Sequence, residues 1–209
     1  AGHVLLDCRY NHFRGISGDE HIDLGGDAYI ASNIFERAAK DQWTSDTGYS
    51  NAISSGDRGT GTTIMVARNF FYDLDHAINL KANTGTLFEH NTVADFHPDF
   101  TYSGTSFGNP FTQEVKCAAI NVFIPEDGSN PTRGDGGYMG YNIFSNIPRL
   151  VSGADARISN ATVVNDVTTK IESGGNLLHN LTTTDLGANH PGGALNPAYG
   201  PNTEGDPRL

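Results

Sequence analysis

Ile30-Ala31-Ser32-Asn33-Ile34-Phe35 and Val66-Ala67-Arg68-Asn69-Phe70-Phe71 are one phrase written twice: an apolar residue, two variable positions, an asparagine, and a large apolar residue two places beyond it. The same phrase surrounds Asn11-His12-Phe13, Asn91-Thr92-Val93, Asn142-Ile143-Phe144 and Asn176-Leu177-Leu178. Three residues ahead of these asparagines stand Cys8, Phe88, Met139 and, in the last case only, the polar Ser173. The steps from Asn11 to Asn33 and from Asn69 to Asn91 are both 22 residues, and the longer steps contain polar insertions. Self-similarity of this kind is the mark of a chain wound into coils that each contact only their neighbours. The apolar column ahead of the asparagines therefore points inward.

A second strand follows each phrase. It reads His21-Ile22-Asp23-Leu24 and His76-Ala77-Ile78-Asn79-Leu80 where nothing intervenes, and Asn51-Ala52-Ile53-Ser54 and Ala119-Ile120-Asn121-Val122 after insertions. Alternation along a strand places Ile22, Ile53, Ile78 and Ile120 in the core and Asp23, Ser54, Asn79 and Asn121 outside. A β-branched residue at four matched positions suits a crowded, pleated interior. The asparagines fall at the bends, where a short amide tolerates unusual backbone angles and bonds to the same group one coil away. Their expected role is a buried structural ladder.

An N-x-Φ bend combined with an x-I-[DNS]-[LV] strand resembles the right-handed parallel β-helix proteins of the pectate-lyase-like superfamily. The resemblance covers roughly residues 4 to 180 and implies an all-β solenoid with loop insertions. It speaks to architecture, since that superfamily spans lyases, hydrolases, epimerases and adhesins. The expected division is coils over 1–180 and an irregular segment over 181–209 that leads into a further strand or cap. The first coil begins within a few residues of Ala1, so the chain reads as a fragment of a longer one, with further coils or domains beside it.

A net charge of -11 on 209 residues argues against nucleic-acid binding, because a phosphate backbone would be repelled. No apolar run approaches membrane-spanning length. Cys8 and Cys117 lie three coil rises apart, about 14 Å, beyond the roughly 7 Å that a disulfide bridges. The resemblance and the acidic, lysine-poor composition point to a secreted or cell-surface location.

The insertions Asp41–Ser50 and Phe96–Lys116 leave the rod at one corner, and Ser55–Gly61 and Phe123–Gly137 at the other. Walls on both sides would make a groove of the column Asp23, Ser54, Asn79, Asn121. Trp43, Tyr49 and Tyr102 offer rings with polar tips for stacking on sugar faces, while the phenylalanines Phe96, Phe100, Phe107 and Phe111 read as a cluster that fixes the loop. A polar residue repeating at about 4.8 Å matches the rise of an extended glycan. The expected partner is thus a polysaccharide, with Trp43, Tyr49, Ser54, Asn79, Tyr102 and Asn121 as its contacts. The cluster Asp19, Glu20 and Asp23 is a candidate calcium site, although no cofactor is required.

Catalysis would draw on Lys81 or His76 as base and on Asp23, Asp19 or Glu20 as acid or calcium ligand. Ile78-Asn79-Leu80-Lys81 resembles the strand that carries the catalytic lysine of alginate-lyase-type β-helices, which implies Lys81 as base. That family's arginine on the next coil is missing from Ile120-Asn121-Val122-Phe123-Ile124. Hydrolysis needs two carboxyl groups about 5 to 9 Å apart, and Asp23 is the sole acid of its column. A polysaccharide lyase is therefore expected ahead of a glycoside hydrolase. The alternative is a non-catalytic structural or adhesive segment of an extracellular assembly.

Overall fold

The computed structural model describes residues 5–15, 20–36, 51–55, 62–80, 84–106, 109–122, 137–152, 171–181, 194–195 and 200–208. These residues form strands and turns without a helix. Three sheets are built wholly of parallel pairings. In the first sheet lie β1 (Leu6–Arg9), β4 (Ala28–Ala31), β7 (Thr62–Ala67), β10 (Thr84–Glu89), β15 (Gly137–Gly140), β18 (Ile171–Gly174) and β20 (Ala194–Leu195), side by side in that order. The second holds β2 (His12–Arg14), β5 (Ile34–Glu36), β8 (Phe70–Tyr72), β11 (Thr92–Ala94), β16 (Ile143–Ser145), β19 (Leu177–His179) and β21 (Thr203–Glu204). The third holds β3 (Glu20–Leu24), β6 (Asn51–Ser55), β9 (His76–Leu80), β14 (Ala118–Val122) and β17 (Val151–Ser152). An antiparallel hairpin, β12 (Phe100–Ser106) with β13 (Asn109–Val115), stands apart from them. The chain visits the three sheets in turn, one level after another, a stacking compatible with a β-helix.

Six turns from the first sheet to the second are each a single left-handed residue followed by an asparagine. Tyr10, Ser32, Arg68, His90 and Tyr141 have φ between 55 and 60°, and Gly175 has 65°. A non-glycine residue at such an angle is strained. The strain is offset by the asparagine row. The side-chain oxygen of Asn91 accepts from the backbone N–H of Asn69 at 2.9 Å and from its amide at 3.1 Å. The amide of Asn91 donates to Asn142 Oδ1 at 3.1 Å and to the Val66 carbonyl at 2.9 Å. The same pattern links Asn11 to Asn33, Asn33 to Asn69, and Asn142 to Asn176. Only a side-chain amide can accept twice and donate twice here, which is why the position is so uniformly asparagine. The row continues to Asn202, whose Oδ1 accepts from Asn176 N–H at 3.1 Å. That seventh member was not expected, because Glu204 replaces the apolar residue two places beyond it.

Inside the stack the expected column is present, with Ile30, Val66, Phe88 and Met139 buried in register. Opposite them Phe13 and Phe35 stack at 4.8 Å, and Phe35 and Phe71 at 5.0 Å. The next member of that second row is Val93, and there the first sheet supplies Phe88, which lies 5.7 Å from Phe71 and 6.5 Å from Phe144. A small residue in one wall is thus matched by a large one in the other, keeping the core filled. On the outer side of β7 Thr63 and Met65 are exposed, as alternation requires.

The third sheet breaks the alternation. Ala119 and Ile120 both donate their N–H to the same neighbouring level, to Arg149 O at 3.2 Å and Leu150 O at 2.9 Å. Successive N–H groups of a regular strand point to opposite sides, so the chain bulges here. The alanine position is skipped in the pairings on both sides of β9. Two consecutive residues therefore reach the core, and Ala52, Ala77 and Ala119 join Ile53, Ile78 and Ile120 in it.

Candidate functional site

The bulge sets the position of the column proposed as a groove floor. Asp23, Ser54, Asn79, Asn121 and Ser152 run in register across the third sheet. They face away from the isoleucines, as expected, but the floor is not open. Ser54, Asn79 and Asn121 are 0%, 2% and 1% exposed, and only Asp23 at the end is solvent-facing. This corrects the expectation of solvent-facing side chains: the sheet is covered on both faces through its central levels. The amides bond to one another instead. Ser152 Oγ donates to Asn121 Oδ1 at 2.7 Å, and Asn121 Nδ2 donates to Asn79 Oδ1 at 3.1 Å. Ser54 Oγ, next in line, is buried without a partner.

His76 is fully buried, with Nδ1 3.0 Å from Asn51 Oδ1 and Nε2 3.0 Å from the Lys116 carbonyl. Burial lowers its pKa, so the ring is neutral and holds two neighbours rather than facing a ligand. His21 packs edge-on against Phe13 and Phe35 at 6.0 and 5.9 Å. Neither of its ring nitrogens makes a well-formed hydrogen bond, and burial, partly offset by the Asn51 backbone, lowers its pKa to about 4. Of the calcium candidates, Glu20 is half-buried and Asp23 exposed, and Asp19 lies outside the described residues. Among the described residues no three His, Cys, Asp or Glu side chains are arranged to hold a metal ion. Lys81, Trp43 and Tyr49 also lie outside the described residues, and Tyr102 is described only through its strand. Phe96 belongs to the main core, and Phe100 packs with Val115 and Cys117 in a small cluster at the hairpin root. Cys8 and Cys117 are both free thiols, and burial pushes both pKa values up.

The densest group of ionisable side chains among the described residues was not singled out from the sequence. It sits at the turn between the second and third sheets, at the foot of the hairpin. His97 bonds through Nδ1 to Asp75 at 2.7 Å and through Nε2 to Asp73 at 2.9 Å. The hydrogen bond to Asp75, against the cost of burial, raises the His97 pKa, with Asp73 adding to the effect. One level on, Arg149 grips Asp99 with two bonds of 2.8 and 2.6 Å and donates to the Cys117 carbonyl at 3.2 Å. Burial works against the Asp99 carboxylate, but Arg149 and Lys116 outweigh it and lower its pKa. Asp99 also accepts from Cys117 N–H at 3.1 Å. The repeat register contained the signal: Asp75 and His97 each stand six residues past an asparagine of the row, which puts them on adjacent levels. Its members are bonded to one another, so what the cluster does is fasten residues 96–99 and 115–117 to the levels on either side.

No family model, curated protein or solved structure matches the chain. No described helix is long and apolar enough to cross a membrane.

Proposed function

We propose that the stack is a right-handed parallel β-helix of pectate-lyase-like architecture and that it serves as a non-catalytic structural or adhesive segment of an extracellular or cell-surface assembly. The observation that carries this reading is the closure of the third-sheet column, where Ser54, Asn79 and Asn121 are buried and the two amides are spent on an internal ladder. A glycan laid along the stack would need those groups free. Support comes also from His76, both of whose ring nitrogens are occupied by the protein, and from the mutual pairing of His97, Asp73, Asp75, Asp99 and Arg149. Groups held in this way stiffen turns and are poorly placed to move protons to a substrate.

The test is a depolymerisation screen over neutral and uronate-containing polysaccharides, run beside a glycan array, with the wild type and a Lys81→Ala/Asp23→Ala variant. No product from either protein is the expected outcome, whether or not the array shows binding. Unsaturated oligosaccharides released by the wild type and not by the variant would overturn the reading in favour of a polysaccharide lyase.

A further inference from the structure

Among the described residues the hairpin of β12 and β13 pairs only with itself. Its strands are seven residues each, a ribbon about 23 Å long by the usual strand rise. Two strands alone are marginal in water, and three or more are normally needed. At its root the ribbon is held from both sides, by His97 on Asp73 and Asp75 of one level and by Asp99 on Arg149 of another. It is therefore presented at a fixed place, with Thr101, Ser103, Pro110 and Thr112 exposed.

The two outer edges of this ribbon differ. Pro110 has no N–H, so its nitrogen is suited to face outward from β13. Alternation then puts Thr112 and Glu114 on that same edge. Through the pairs Thr105 with Pro110, Ser103 with Thr112 and Thr101 with Glu114, the outward backbone groups of β12 belong to Thr101, Ser103 and Thr105. The 3.0 Å contact of Ser103 Oγ with Thr112 Oγ1 agrees, since side chains approach most closely in the pairs that exchange no backbone bonds. The β13 edge thus carries a proline and a charge, the two usual devices against strand addition, and the β12 edge, Phe100-Thr101-Tyr102-Ser103-Gly104-Thr105-Ser106, carries neither.

Charge is compatible with a second copy as the occupant. In a chain of net charge -11, residues 100–115 contain one charged residue, Glu114, so two copies that meet through this stretch add little local like-charge repulsion. An antiparallel edge is also self-complementary across a two-fold axis. We propose that the β12 edge is a homodimer interface, in which β12 pairs antiparallel with β12 of a second copy, centred on Ser103, to give a four-stranded sheet. Thr101 then lies opposite Thr105 of the other copy, and Tyr102 opposite Gly104. The inference is independent of whether the stack is structural or binds a glycan.

The experiment is sedimentation velocity on the full chain across the micromolar range. The wild type is expected to show a concentration-dependent dimer. Ser103→Pro, which removes the central outward N–H from both copies, should weaken it roughly tenfold or more, and Thr112→Pro on the blunted edge should leave it unchanged. Ser103→Cys supplies a test that does not rely on loss: mild oxidation should join two copies covalently. A wild type that stays monomeric throughout, a Ser103→Pro variant that associates like the wild type, or a Ser103→Cys variant that forms no cross-link would each overturn the proposal.

Discussion

Asn91 uses the whole hydrogen-bonding capacity of its side chain, two acceptances and two donations, at 1% exposure. Replacing it by alanine strands a buried N–H of Asn69 and a carbonyl of Val66. At about 1–3 kcal/mol for each unsatisfied buried group, Asn91→Ala should cost on the order of 3 kcal/mol or more. Asn11 stands at the exposed end of the same row, so Asn11→Ala should cost less than about 1 kcal/mol. Urea unfolding of the two variants checks the contrast, and equal midpoints would mean that the row does not bear on stability. The same logic applies to the third-sheet column. As a solvent-facing residue Asn79 would be freely replaceable. Buried and accepting from Asn121, it should cost about 1–3 kcal/mol as Asn79→Ala. Ile78→Asp should yield no folded protein, since it places an unpaired charge between Ile53 and Ile120.

At the scale of the element, the turns between the second and third sheets are fixed by ionic contacts, and these give stability a pH dependence. The pKa of His97 is raised in the fold by Asp75 and Asp73. A group raised in this way contributes fully below its unfolded value of about 6.5, and the contribution is lost as pH rises through the folded value. His21 and His76 have lowered values, so their effect has the opposite sign and is lost as pH falls below about 6.5. His97→Gln should therefore reduce stability most at mildly acidic pH and least at alkaline pH. Urea midpoints of wild type and variant, compared from pH 6 upward, should converge; a gap that widens with pH would contradict the assignment. The groups that face His97 are Asp73 and Asp75 of the preceding level, with Cys117 beside Asp75. The hairpin depends on this foot, because its strands join none of the other sheets among the described residues.

For the molecule as a whole, stability is a sum over levels and the contacts between neighbours. Among the described residues β7 is paired on both sides, by β4 and β10, whereas β1, β2 and β3 are each paired on one side only. Hydrogen exchange should accordingly be slowest at Val66 and Phe88 and faster by on the order of a hundredfold or more at Leu6 and Cys8, since opening free energy falls toward frayed ends. Uniform protection from end to end would show that the stack opens only as a unit. The stacked levels, the row of asparagines and the inward columns of the first two sheets were all determined by the sequence alone. Each depends on a residue type recurring at a fixed offset from Asn33 or Asn69, and parallel in-register pairing turns such an offset directly into a row. Asn202 escaped because Glu204 removes the apolar half of the phrase. The burial of Ser54, Asn79 and Asn121 was decided only by tertiary structure. Alternation states which side of a strand a residue takes but not whether that side is covered, and a bulge at Ala119 sent two consecutive residues to the core. The clamp of His97 on Asp73 and Asp75 was likewise decided by tertiary structure: the repeat register puts Asp75 and His97 on adjacent levels, but whether their side chains meet depends on the paths of the two turns.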